Sequence, residues 1–189
     1  MGSRNDSWLK RGRSFDITPR RAMLAAMNYW LIKSEPETFS IDDLKAAKRE
    51  PWDGIRNYQA RNFMRDKMEV GDLAIFYHSN AKPPGAVGLA RVVSEVYPDP
   101  TQFDDKSKYH DPKSNPDDPR WMLRDFEFVE KFPRMVELAE LKAESALDDM
   151  LVTQKGSRLS ITPVEPKHFK KVCKMASGLN VRSSSGKRE

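Results

Sequence analysis

Three short polar clusters hold the side chains in this chain best suited to chemistry: Lys33-Ser34, Arg56-Asn57 just after Trp52, and His78-Ser79. Donors and an amide beside an indole suit recognition of a flat, polar-edged ligand. The ring stacks, contributing roughly 1–3 kcal/mol for a nucleobase, and the polar groups test the edge. Trp52 sits in the turn Pro51-Trp52-Asp53-Gly54, with little local core to enter. An indole on a turn must pack on a neighbour or on a ligand. Both readings stand at this point: a plug for the end of a barrel, or a wall for a bound base. If it is a wall, Trp52→Ala removes affinity and leaves the chain folded.

Bond-breaking chemistry finds less support. A nucleophilic Ser or Cys needs a base held by a third group. The single cysteine, Cys173, falls within Lys171-Val172-Cys173-Lys174, where a closing helix calls for a small buried hydrophobe. His78, His110 and His168 are the three histidines; no two have metal-ligand spacing, and neither HExxH nor CxxC occurs. No metal or cofactor is expected. Gly85-Ala86-Val87-Gly88-Leu89 enters a strand and not a helix, so it is no dinucleotide fingerprint. A hydrolase directed at RNA or a nucleoside is the enzymatic alternative, with the acidic residues of the loop between Pro98 and Arg120 as candidate groups. Asp104, Asp105, Asp117 and Asp118 read better there as solvated charges.

The elements that must position these clusters are mostly strand-like. Tyr29-Trp30-Leu31-Ile32 and Leu73-Ala74-Ile75-Phe76-Tyr77 are short apolar runs that end at Lys33-Ser34 and His78-Ser79. Ser40-Ile41-Asp42-Asp43 has the spacing of a capping box, and residues 57–68 place Phe63, Met64 and Met68 at helical intervals. Strands are expected over 87–96, 126–132 and 159–164, with Gly88 a bulge, short helical turns over 136–147 and a closing helix over 165–175. Five or so short strands and three or four short helices predict an α+β domain around a small, curved, mainly antiparallel sheet. Residues 98–120 are longer than the ~12–15 residues beyond which a structureless loop is usually functional. They read as a lid, in which Tyr109, Arg120 and Trp121 could clamp a phosphate or stack on a ligand. The same loop could serve a protein partner, the second alternative.

Charge limits the partners. The 189-residue chain carries a formal +5. Residues 1–26 hold six basic and two acidic groups and residues 178–189 three and one, so the body between them is close to neutral. A near-neutral body argues against gripping long duplexes by broad phosphate neutralisation. It leaves room for a small basic patch at a specific pocket. Residues 1–26 are expected to be a disordered basic leader or an added extension, 27–176 one domain, and 177–189 a flexible basic tail. No apolar run approaches the ~18 residues of a membrane span, and one cysteine excludes an internal disulfide. A monomer in a reducing compartment is the simplest expectation, cytoplasmic in general and nucleoid-associated or nuclear according to the cell.

The residues from Tyr29 to Pro36, Trp52 to Asn62 and Gly71 to Asn80, with Tyr97-Pro98-Asp99-Pro100, Asp111 to Pro116 and Arg158 to Val164, strongly resemble the EVE domain. The resemblance spans about residues 28–175. It implies a PUA-like fold, a small mixed barrel of five to six strands flanked by short helices. It also implies a reader that flips a modified base, such as a methylated or oxidised cytosine in DNA or RNA, into a pocket. By motif position Lys33, Ser34, Trp52, Arg56, Asn57, His78 and Ser79 would line that pocket.

Overall fold

Two parallel strands organise the molecule, seen in a computed structural model that describes residues 27–178. Strand β1 (Tyr29–Ser34) lies beside β3 (Leu73–His78), with Ser34 opposite His78. Parallel neighbours need a long crossover, and residues 35–72 supply it: helix α1 (Ile41–Ala47), strand β2 (Arg49–Pro51) and helix α2 (Tyr58–Asp66). The expected capping box forms, since Ser40 Oγ accepts from the Asp43 N–H at 3.2 Å and Asp43 accepts from the Ser40 N–H at 2.7 Å. Asn57 caps α2, its Oδ1 accepting from the Gln59 and Ala60 N–H groups at 2.9 and 3.1 Å.

The remaining sheet pairs are antiparallel. β4 (Gly85–Val92) follows β3, and β7 (Asp125–Glu137) pairs with both β4 and β2. β8 (Ile161–Val164) closes on β1, giving the order β2-β7-β4-β3-β1-β8. The six strands curl into a half-barrel with β2 and β8 as its edges. The curl has a local cause. Ala86 pairs with Val136 but Gly88 with Lys131, so several residues of β7 oppose Val87 alone. Pro133 falls in that irregular stretch, where its missing N–H costs no ladder bond. At Gly88 a side chain would collide with the Glu130 carbonyl oxygen and with Ile41 of α1. The bulge anticipated at this glycine is present, and the strand anticipated over 126–132 is about twice as long.

Alternation along the strands sorts the core onto two faces. Trp30, Ile32, Ala74, Phe76 and Phe126 face α1, α2 and Trp52. Leu31, Ile75, Tyr77, Phe132 and Val164 face the layer formed by α3 (Leu138–Ala143) and α4 (Pro166–Ala176). Cys173 lies at the edge of this second layer, where burial pushes its thiol up to about 11. A thiol held protonated there is a packing group and not a nucleophile. No helix of the described residues is long and apolar enough to cross a membrane. The leader expected over 1–26 lies outside the described residues, as does the tail beyond Gly178.

Residues 98–120, expected to form a lid, are an ordered segment. β5 (Tyr97–Pro98) pairs with β6 (Met122–Leu123), and the segment between folds over the fully buried Gln102. The Gln102 amide donates to the Asp99 and Trp121 carbonyls at 2.7 and 2.8 Å, and its oxygen accepts from the Trp121 N–H at 2.9 Å. One buried amide thus fixes both ends of the loop.

Candidate functional site

Because β1 and β3 run parallel, their carboxyl ends emerge side by side and bring Ser34 and Ser79 together. The Ser79 N–H donates to the Ser34 carbonyl at 2.8 Å. Beyond these ends opens a cavity of about 820 Å³, within the roughly 300–1,000 Å³ range of small-ligand sites. Its lining includes Lys33, Ser34, Trp52, Arg56, Asn57, Ser79 and Tyr109. The three polar clusters and the loop therefore meet at one mouth.

Trp52 is both plug and wall. It is 8% exposed and packs edge-on against Phe76 and Phe126, with ring centroids 5.6 and 5.5 Å away. Its backbone N–H donates to the Arg124 carbonyl at 2.9 Å. The core holds the ring, as a plug requires, and the residue also lines the cavity.

Arg56 is immobilised by the loop. Its guanidinium pairs with Asp99 at 2.8 Å, donates to Thr101 Oγ1 at 2.9 Å and to the Tyr109 carbonyl through Nε at 2.8 Å. Burial opposes ionisation of Asp99. The donors Arg56, Thr101 and the Gly54 N–H outweigh it and hold the carboxyl below its ordinary value. Gly54 has φ +72°, and any Cβ there would lie 2.5 Å from the Tyr109 ring. Glycine is required both for the turn and for seating this lid residue.

The small polar groups are largely committed. Ser34 Oγ donates to the Phe39 carbonyl at 2.6 Å and Ser79 Oγ to the Ser34 carbonyl at 3.3 Å. Lys33 Nζ donates to the Ser157 carbonyl at 3.1 Å, and burial lowers its pKa. With Asn57 Oδ1 used for capping, its Nδ2 amino group is left without a hydrogen-bond partner among the described residues.

The other sequence-derived residues lie outside the lining. His78 faces α1, where its Nε2 accepts from the Ile41 N–H at 3.2 Å. Only the neutral ring can accept there, and burial lowers its pKa. The folded state thus resists protonation more than the unfolded one. The stability this contributes is complete above the ordinary value near 6.5 and is lost as pH falls through the lowered one. Between pH 7 and pH 5, wild type is expected to lose more stability in urea melts than His78→Phe. Arg120 and Trp121 brace the loop: Trp121 Nε1 donates to Asp111 at 2.7 Å, and the Arg120 guanidinium lies 3.4 Å from the same carboxylate. Trp121 also stacks on Tyr58 at 4.9 Å.

Sequence reasoning does not single out Glu50, Asp53, Lys108 or Arg158, all of which line the cavity. Strand β2 pairs over only three residues, too short a run to show alternation. Nor does it find the cluster of Asp149, Glu165 and His168, whose potential ligand atoms lie within 4.8 Å of one another. Lys167 Nζ lies 3.2 Å from both carboxylates, so an ammonium already bridges them at the start of α4.

Comparison with known proteins accords with this geometry. The EVE domain profile matches residues 28–175. Thymocyte nuclear protein 1 of Mus musculus is 46% identical over 160 residues, covering 75% of this chain and 70% of its own. A Pseudomonas putida protein of known structure superposes with a TM-score of 0.76 at 46% identity, over 78% of this chain and 99% of that one. The human THYN1 protein, solved in complex with 5-methylcytosine-containing DNA, superposes with a TM-score of 0.74 at 42% identity, over 79% and 97%. The chain belongs to the EVE domain family.

Proposed function

We propose that this chain is a non-catalytic reader that takes up a modified nucleobase, such as a methylated cytosine, in the cavity beside Trp52. The observation that carries the reading is an indole locked by Phe76 and Phe126 at the wall of a cavity edged with hydrogen-bonding groups. The family relationship to a human protein crystallised with 5-methylcytosine-containing DNA supports it. A pre-set ring loses no conformational freedom on binding, and extruding a base costs a few kcal/mol that stacking and edge contacts must recover. Lys33, Ser34, Asn57 and Ser79 surround the base. Arg56 and Tyr109 form the lid side, braced by Arg120 and Trp121, and His78 holds α1 behind them. Binding without turnover fits the site, where the Ser34 and Ser79 hydroxyls donate to backbone carbonyls and the neighbouring His78 spends its Nε2 on the Ile41 N–H.

A binding array of modified and unmodified oligonucleotides at two salt concentrations tests this. Wild type is expected to prefer one modified base and to show a shallow salt slope; equal affinity across the array contradicts it. Lys108 and Arg158 stand at the mouth and make no ion pair among the described residues. They are assigned to flanking phosphates. Lys108→Ala with Arg158→Ala is expected to weaken all oligonucleotides alike and to reduce the salt slope by about 2, leaving the preference between bases unchanged.

A further inference from the structure

Of the charged groups lining the cavity, Arg56 is paired with Asp99, and the cations Lys108 and Arg158 are assigned to flanking phosphates. Glu50 and Asp53 line the cavity yet accept no side-chain hydrogen bond and join no ion pair among the described residues. Glu50 sits opposite Phe126 on β2, two residues before Trp52, so strand alternation sends both side chains to the same face. Asp53 follows Trp52 on the turn. Burial first, then repulsion from neighbouring carboxylates, raises the pKa of both, with Arg56 and Lys108 partly offsetting the rise at Asp53. Two acceptor groups are thus held without donors beside the aromatic wall. Asn57 lines the same cavity and has only its amino group left to offer, because its oxygen is spent on two N–H groups of α2.

We infer that Glu50 and Asp53 form an acceptor edge that selects bases carrying an exocyclic amine over keto bases. The inference rests on the proposed base site and names its specificity-determining residues. An amino pyrimidine offers its N4 hydrogens to a carboxylate and its ring N3 to the Asn57 amino group. A keto pyrimidine reverses both positions: its O4 meets carboxylate oxygens and its N3–H meets an N–H donor. Each reversal leaves desolvated polar groups unpaired, the situation in which a site rejects a ligand most strongly.

5-Methylcytosine and thymine share ring and methyl group and differ only along this edge, so they isolate the effect. Single-stranded oligonucleotides with one central 5-methylcytosine, thymine, cytosine or abasic site are compared by fluorescence anisotropy. Wild type is expected to bind 5-methylcytosine at least about tenfold more tightly than thymine. In Glu50→Gln with Asp53→Asn, whose amides can also donate to O4, that ratio is expected to fall to about twofold or less. The preference for 5-methylcytosine over cytosine should persist. A wild type that does not separate 5-methylcytosine from thymine, or a double variant that keeps the wild-type ratio, overturns the inference. A second measurement needs no variant: N4,N4-dimethyl-5-methylcytosine lacks both N4 donors and is expected to bind like thymine, and full affinity for it would overturn the proposal. An abasic strand bound as tightly as the 5-methylcytosine strand would instead overturn the base site itself.

Discussion

Trp52→Ala is expected to destabilise the fold by about 3–5 kcal/mol, as large aromatic truncations in cores do, and to abolish selective binding. The ring is 8% exposed and touches three aromatic neighbours, Phe39, Phe76 and Phe126. Alanine there opens a cavity under the sheet as well as removing the wall. The sequence-based expectation that this variant loses affinity while the chain stays folded therefore meets a large stability cost set by the packing. Trp52→Phe separates the two roles. It retains an aromatic face and most of the buried area, so urea melts should show a loss of only about 1–2 kcal/mol. Its smaller ring should still weaken binding of a modified oligonucleotide several-fold. A Trp52→Phe variant that binds like wild type would assign the ring to the core alone.

The second large effect concerns the lid. Asp99→Asn is expected to cost about 3 kcal/mol, the low end for breaking a buried ion pair, because the Arg56 side chain keeps 22% exposure. The asparagine turns hydrogen atoms toward donors on Gly54, Arg56 and Thr101 that now share one carboxylate. Arg56 would no longer be held against the Tyr109 carbonyl, and the lid side of the cavity would loosen. Binding of modified oligonucleotides should weaken together with stability. By contrast Arg120→Ala, removing a partly exposed contact of 3.4 Å to Asp111, should cost only about 0–1 kcal/mol. The Asp99 carboxyl is held below its ordinary value of 3.8. Its contribution is complete above that value and is lost as pH falls through the lowered one. Wild type should therefore lose stability in strong acid more steeply than Asp99→Asn, as acid-titrated melts would measure.

How much of the fold and site is legible in the amino-acid sequence depends on the range of each interaction. The Ser40–Asp43 capping box and the buried strand at Leu73–Tyr77 are local, and residue types state them directly; the cap at Asn57 is equally local, yet the same amide reads as a ligand contact. The meeting of Lys33-Ser34 with Ser79 is readable because strand ends are polar and the apolar runs ending there are plain. The burial of Trp52 is not, since its partners Phe76 and Phe126 lie 24 and 74 positions away along the chain. Arg56 looks like a free donor for a ligand; its carboxylate is 43 residues on, in a loop whose proline content suggests little order. His78 sits at the right strand end, but strand alternation and the nearby start of α1 turn its ring to the Ile41 N–H. Glu50 escapes notice because β2 takes its pairing from β7 and not from its own propensity.

The central claim is that a modified base leaves its strand and lies against Trp52. A crystal structure of this chain with a 5-methylcytosine oligonucleotide addresses it directly. The expected result is the methylated base extruded into the cavity, its face on the Trp52 indole, with Asn57 Nδ2 within hydrogen-bond distance of its edge. A complex in which the base remains stacked in the strand, or in which the nucleic acid lies on another face and leaves the cavity vacant, would contradict it.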